Sequence, residues 1–247
     1  MNSKWLRRFD TTTARGPRLV CFPHAGGAAS SFLPLARELA PDVDVVAVQY
    51  PGRQERFDEP PVEDIGRLAD HIAAALRPLT DGPYAVFGHS MGGLLAYETV
   101  RRLERWRLPE PSRLFVSGQV PPRERRSDYG IAAGDAEIVA ELRALGGTAA
   151  VVLDDPDLMA LVLPAVRADY RALRGYTWTP GPPLRCRISA LVGDSDPVAT
   201  AEAAAGWSAY SVAGADVTEF RGGHFYLEER LTEVAALIDT TLGVHTG

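Results

Sequence analysis

Gly88-His89-Ser90-Met91-Gly92 decides how the rest of this chain reads. An apolar, β-like run, Tyr84 to Phe87, precedes it, and a helix-like run, Leu94 through Leu103, follows. A serine between glycines two places before and two places after, at a strand-to-helix junction, is the pattern of a nucleophile elbow. The sharp turn forces the serine into strained backbone angles and exposes its hydroxyl at the sheet edge; the glycines leave room for it. The following helix aims its first amides, that of Met91 foremost, at negative charge developing beside that hydroxyl.

Outward from the elbow, strands and helices alternate. Trp5 to Phe9 reads as a short edge strand, Arg18 to Phe22 and Val43 to Val48 as buried strands, and Leu114 to Ser117 as the strand after the elbow helix. Ser30 or Ser31 is placed to cap a helix carrying Phe32, Leu35, Ala36 and Leu39, and Val62 to Leu76 forms an amphipathic helix stopped by Pro78. After a break, the strand Ile188 to Val192, a helix around Ala201 to Tyr210, the strand Val217 to Phe220 and a final helix, Leu227 to Leu242, restore the rhythm. Regular alternation implies parallel strands with right-handed crossovers, an α/β fold with a mostly parallel central sheet flanked by helices. The break, residues 121 to 180, holds two helical stripes, Ile138 to Leu145 and Leu158 to Leu173. It reads as a helical lid inserted in a single domain, above the carboxyl ends of the strands, where open α/β sheets bind ligands.

A serine hydroxyl needs a general base within reach. His224, in Gly222-Gly223-His224-Phe225, follows a strand and precedes the last helix. The acid that orients it is expected on the loop Gly193-Asp194-Ser195-Asp196-Pro197. Asp196 is the choice; Asp194 lies nearer the strand end and reads as bonding the turn backbone. The order Ser90, Asp196, His224 is that of an α/β-hydrolase. His24 is the only rival base, while His71 on a helix and His245 in a tail lack suitable neighbours. Two amide donors are required for the oxyanion: Met91, and Ala25 in the glycine-rich turn His24-Ala25-Gly26-Gly27. No metal or organic cofactor is required by this chemistry.

Composition sets the remaining bounds. The chain has 247 residues, 46% of them hydrophobic and 23% charged, and a formal net charge of -6, which argues against nucleic acid as a partner. The arginine cluster Arg123, Arg125 and Arg126 reads as a solvated loop. Cys21 and Cys186, each taken as lying in a strand, read as small buried apolar residues rather than a disulfide or metal pair. No leader-like or membrane-spanning run is evident, so the expected location is the cytoplasm. The absence of heptads points to a monomer.

Five motifs in one order carry a resemblance. They are Phe22 to Gly27, Tyr50-Pro51-Gly52-Arg53-Gln54-Glu55-Arg56, Gly88 to Gly93, Gly193 to Pro197, and Gly222 to Leu227. Together they resemble the stand-alone type II thioesterases of polyketide and nonribosomal peptide synthases, over nearly the whole chain. Leu163 to Tyr170 is similar to that family's lid helix, and Gly93 stands where many relatives carry alanine. The resemblance implies hydrolysis of aberrant or stalled acyl groups from the phosphopantetheine arm of a carrier protein. It implies the same roles for Ser90, Asp196, His224, Ala25 and Met91, and a channel or acyl chamber supported by Leu158, Leu161, Val162, Val166 and Tyr170. Three other readings compete: a carboxylesterase or lipase acting on oxygen esters, an acyl transferase or cyclase in which a hydroxyl or amine replaces water, and a non-catalytic carrier-binding protein.

Overall fold

The computed structural model of the protein describes residues 3–9, 16–124, 134–146 and 154–244. Arg125, Arg126 and His245 lie outside these residues. Seven strands form one sheet: β1 Leu6–Arg8, β2 Arg18–Phe22, β3 Asp44–Val48, β4 Tyr84–His89, β5 Leu114–Ser117, β6 Ile188–Gly193 and β7 Ala215–Phe220. Their order is β1-β3-β2-β4-β5-β6-β7. Only the β1–β3 pairing is antiparallel. The chain winds one way from β2 to β3 and the other way from β4 onward, which leaves a topological switch point between β2 and β4.

Both sheet faces are buried, which explains the near-continuous apolar strands. Along β2 the side chains alternate between two cores. Val20 and Phe22 pack with Leu68, Ile72, Leu94 and Leu95 of helices α2 (Ile65–Leu76) and α3 (Met91–Arg105). Leu19 and Cys21 pack with Leu35 of α1 (Leu33–Glu38) and Val234 and Ile238 of the last helix. Each such fully buried side chain contributes roughly 1.5–3 kcal/mol. Both cysteines are free and buried, and Cys186 precedes β6 rather than lying within it.

Helix starts and ends depart from the sequence reading in four places. Neither Ser30 nor Ser31 caps α1; Ala29–Phe32 is a 3-10 turn that feeds it, with Phe32 at the N-cap. Ser30 Oγ instead accepts from Gln54 Nε2 at 2.6 Å. Helix α2 begins at Ile65, because Asp64 takes the cap by accepting from Arg67 N at 2.7 Å. Only Ala201–Ala204 (α6) is α-helical in its region, and Ala205–Tyr210 is 3-10. Three residues per turn put Trp207 and Tyr210 on one face, where both are buried. The final helix is two, α7 Tyr226–Glu229 and α8 Leu231–Leu242, divided at Arg230.

Among the described residues two helices, α4 Asp135–Leu145 and α5 Pro156–Gly175, lie between β5 and β6. They share a small apolar cluster of Ile138, Leu142, Met159, Val166 and Tyr170. Pro at the first position of α5 and the Asp155 carboxylate, which accepts from Asp157 N and Leu158 N, start that helix. Among the described residues no helix is long and apolar enough to cross a membrane.

Candidate active site

The parallel register puts several strand ends at one level. Phe22 pairs with Gly88, His89 with Ser117, and Gly193 with Phe220. The turns after β2, β4, β6 and β7 therefore open on the same edge of the sheet.

Ser90 follows β4 with φ 54 and ψ -121, a left-handed, strained backbone for a residue with a side chain. Glycine is required on both sides. A Cβ on Gly88 would lie 2.1 Å from Gly92 O, and one on Gly92 would lie 2.0 Å from Phe22 O. Ser90 N donates to Ser117 O at 2.8 Å, which ties the elbow to the end of β5. Met91 opens α3, so its amide sits at the helix N-terminus.

The loops after β6 and β7 are laced together. Asp194 N donates to Phe220 O at 2.8 Å and Ser195 N to Gly222 O at 2.9 Å. The Asp194 carboxylate accepts from Gly222 N and from Ser195 Oγ, each at 2.9 Å. Asp194 thus bonds backbone, as its position suggests, but chiefly across to the neighbouring loop. Backbone donation from Gly222 leads the causes that hold its carboxyl below the usual carboxylate range.

Lacing sets up the next contact. His224 Nδ1 and Asp196 Oδ2 are 2.9 Å apart, with both side chains fully buried. The other Asp196 oxygen accepts from Val198 N at 2.8 Å, so the carboxylate cannot swing. His224 Nε2 is buried, with no hydrogen-bond partner among the described residues. The imidazole rests against Gly118, where an added Cβ would lie 3.1 Å from Cε1. Gly118 directly follows Ser117, the residue that holds Ser90 N, so His224 and the elbow both pack at the end of β5. Asp196 is the carboxylate paired with His224; Asp194 is not.

Two further histidines lie near His224. The His89 ring lies 5.1 Å from that of His224, and its Nδ1 is 2.9 Å from Ser117 Oγ, itself 2.7 Å from Tyr226 Oη. Burial, then the neighbouring charges of His224 and His24, hold the His89 pKa well down. His24 packs edge-on against Phe225 at 5.0 Å. Burial first, then His224 and Arg53, lower its pKa to about 4. His71 lies on α2 and stacks on Trp5 at 5.2 Å.

The turn that follows β2 is closed by Gly27 N donating to His24 O at 3.0 Å, with Gly26 at φ +78. That combination is a type II turn, with Ala25 as its second residue. A cavity of about 520 Å³ opens here, bounded by His24, His89 and Phe225 and by Leu142, Met159 and Val166 of α4 and α5. A second, of about 460 Å³, also borders Gly26 and is lined by Arg53, Phe57, Leu161 and Val162. Val162 lines both cavities. Tyr170 is buried between α4 and α5, while Leu158 is 44% exposed and borders neither cavity. Among the described residues no group of three or more His, Cys, Asp or Glu side chains is arranged to hold a metal ion.

The sequence reading missed the ion pair of Arg53 and Asp169, which joins the loop after β3 to α5. Its signal was a lone acid on the apolar stripe of α5, three places after Val166, and an arginine within Tyr50-Pro51-Gly52-Arg53.

Comparison with known proteins agrees with this geometry. The family model described as "Thioesterase domain" matches residues 17–242. The chain is 44% identical over 232 residues to the "Probable cadicidin biosynthesis thioesterase" of Streptomyces griseus, covering 94% of this chain but 64% of that longer relative. It is 41% identical over 244 residues to "Thioesterase PikA5" of Streptomyces venezuelae, covering 98% of this chain and 87% of the relative. The solved structure of the type II thioesterase BorB from the borrelidin biosynthetic cluster superposes with a TM-score of 0.87 at 40% identity, covering 99% and 98% of the two chains. The chain belongs to the thioesterase family, on an α/β-hydrolase fold.

Proposed function

We propose that this protein hydrolyses acyl thioesters on the phosphopantetheine arm of carrier proteins, clearing stalled or aberrant acyl groups from a polyketide or nonribosomal peptide synthase. The observation that supports it best is the buried Asp196–His224 pair beside the strained Ser90 elbow. The relatives' names, thioesterases of biosynthetic clusters, supply the substrate class.

In this reading Ser90 Oγ attacks the thioester carbonyl and His224 Nε2 takes its proton. The Met91 and Ala25 amides hold the oxyanion, each worth about 10²–10³-fold in rate. Collapse expels the pantetheine thiolate, which receives the proton from His224, and leaves an ester on Ser90. Water, deprotonated by His224, repeats the sequence and releases a carboxylic acid. Asp196 keeps the imidazole in one tautomer and balances its charge. The helices α4 and α5 act as a lid, and the apolar cavity beneath them receives the acyl chain.

The test is to load a carrier protein with a short acyl group and follow its intact mass. Wild-type protein should restore the free pantetheine thiol, and Ser90→Ala should leave the acyl carrier unchanged. A carrier that stays acylated with the wild type rejects the reading.

A further inference from the structure

The turn that carries Ala25 is held from outside the triad. Its ends are tied to the loop after β3: Tyr50 Oη donates to Pro23 O at 3.0 Å, and Gln49 Oε1 accepts from Ala29 N at 2.7 Å. Its middle is tied to α5. Gly26 N donates to Asp169 Oδ2 at 2.7 Å, and Arg53 Nη2 donates to the same oxygen. Asp169 and Arg53 side chains are 2% and 5% exposed.

A type II turn differs from type I by a flip of its central peptide, here Ala25–Gly26. In the observed form the Gly26 N–H points at Asp169. A flip would put the Ala25 carbonyl where that N–H stands, against a buried carboxylate, with no donor in its place. The carboxylate thus selects one of the two forms. Burial pushes the Asp169 pKa up, opposed by the charge and hydrogen bond of Arg53 and by the Gly26 amide. Arg53 is itself fixed by Nη1 donating to Pro51 O at 2.8 Å and lies 5.1 Å over the Tyr50 ring. One turn earlier on α5, Val166 crowds the same peptide, leaving a Cβ on Gly26 only 2.7 Å from Cγ2.

We propose that Asp169 is a positioning residue for the oxyanion-binding turn. By holding the Ala25–Gly26 peptide in one form it fixes the path of the turn, and so the place of the preceding Ala25 amide that meets the acyl oxygen, and it makes that alignment depend on α5 being seated. This rests on the reading of Ala25 as an oxyanion donor.

The test separates alignment from stability. Asp169→Leu alone strands the Arg53 cation, whereas Asp169→Leu with Arg53→Met removes both charges, and apolar replacement of a whole buried pair commonly restores stability. The double variant should recover a near-wild-type Tm while kcat on an acetyl-pantetheine thioester stays about 10–100-fold low, with KM within about twofold. Recovery of kcat together with Tm overturns the proposal. Should the double variant not fold, Asp169→Asn and Asp169→Ala both strand Arg53 but differ in offering an acceptor to Gly26. Asn should then retain about tenfold more kcat than Ala at similar Tm, and equal rates overturn the proposal. A separate readout guards against failure of the functional reading itself, which would show as no Ser90-dependent turnover in wild type. Gly26 amide exchange, slow in wild type, should accelerate in the double variant or, if that does not fold, in Asp169→Ala; unchanged protection overturns the proposal.

Discussion

Ser90 is an ordinary alcohol on a strained backbone, and its reactivity depends on what lies beside it. Ser90→Ala or His224→Ala should each lower turnover by several orders of magnitude with an unchanged circular dichroism spectrum, because the proposed mechanism has them act with Asp196 as a unit. A well-folded His224→Ala with near-wild-type rate would remove that residue from the mechanism. Asp196→Asn should cost about 10³–10⁴-fold in kcat, since an amide favours the wrong imidazole tautomer. Asp194→Asn, which weakens only the lacing to Gly222 and Ser195, should mainly lower Tm. Steady-state kinetics on the pair would reverse the assignment if the losses were exchanged. Acid should also act through two other histidines. His24, from an ordinary value of 6.5, titrates at about 4 in the folded protein, and His89 titrates well below 6.5. The unfolded chain therefore binds more protons as pH falls from 6.5 to 4, so this stabilisation is full above 6.5 and is lost toward 4. Tm measured across that window should fall, and fall less steeply in His89→Gln; an equal slope in both proteins would refute the effect.

At the scale of elements, two adjacent glycines of α3 make different demands. Gly92 meets backbone of the turn after β2, with Phe22 O 2.0 Å from an added Cβ. Gly93 meets the Gln119 side chain at 3.1 Å and Gly88 O at 3.2 Å, contacts that can give by a few tenths of an ångström. Chemical denaturation should show Gly93→Ala within about 1 kcal/mol of wild type, the helix propensity of alanine offsetting the crowding. Gly92→Ala should lose at least about 3 kcal/mol or not fold. A mild Gly92→Ala would mean that elbow and turn can separate. Those glycines were legible in sequence because a motif announces them. Helix ends were less so. Asp64 as the cap of α2 was hidden behind an apolar Val62 that extended the pattern, and the 3-10 turns at Ala29–Phe32 and Ala205–Tyr210 follow from packing of Phe32, Trp207 and Tyr210 that no local periodicity records.

For the whole molecule, strand order converts separate motifs into one site. Residues from after β2, β4, β6 and β7 meet because parallel strands end at one edge and the winding reverses between β2 and β4. The alternation that implies this sheet is written plainly in the chain, and so are the loops that carry Ser90, Asp196 and His224. What local pattern could not show is long-range closure: Asp169 reaching Gly26 and Arg53, or Asp194 reaching Gly222, joins residues whose separation in sequence exceeds any motif. The substrate class is the claim that the whole molecule must answer for. The most direct measurement is paired hydrolysis of one short acyl group, presented as a carrier-protein pantetheine thioester and as a simple oxygen ester, with Ser90→Ala as control. The account predicts strong, Ser90-dependent preference for the carrier thioester. Equal or faster cleavage of the oxygen ester would contradict it and return the site to general ester hydrolysis.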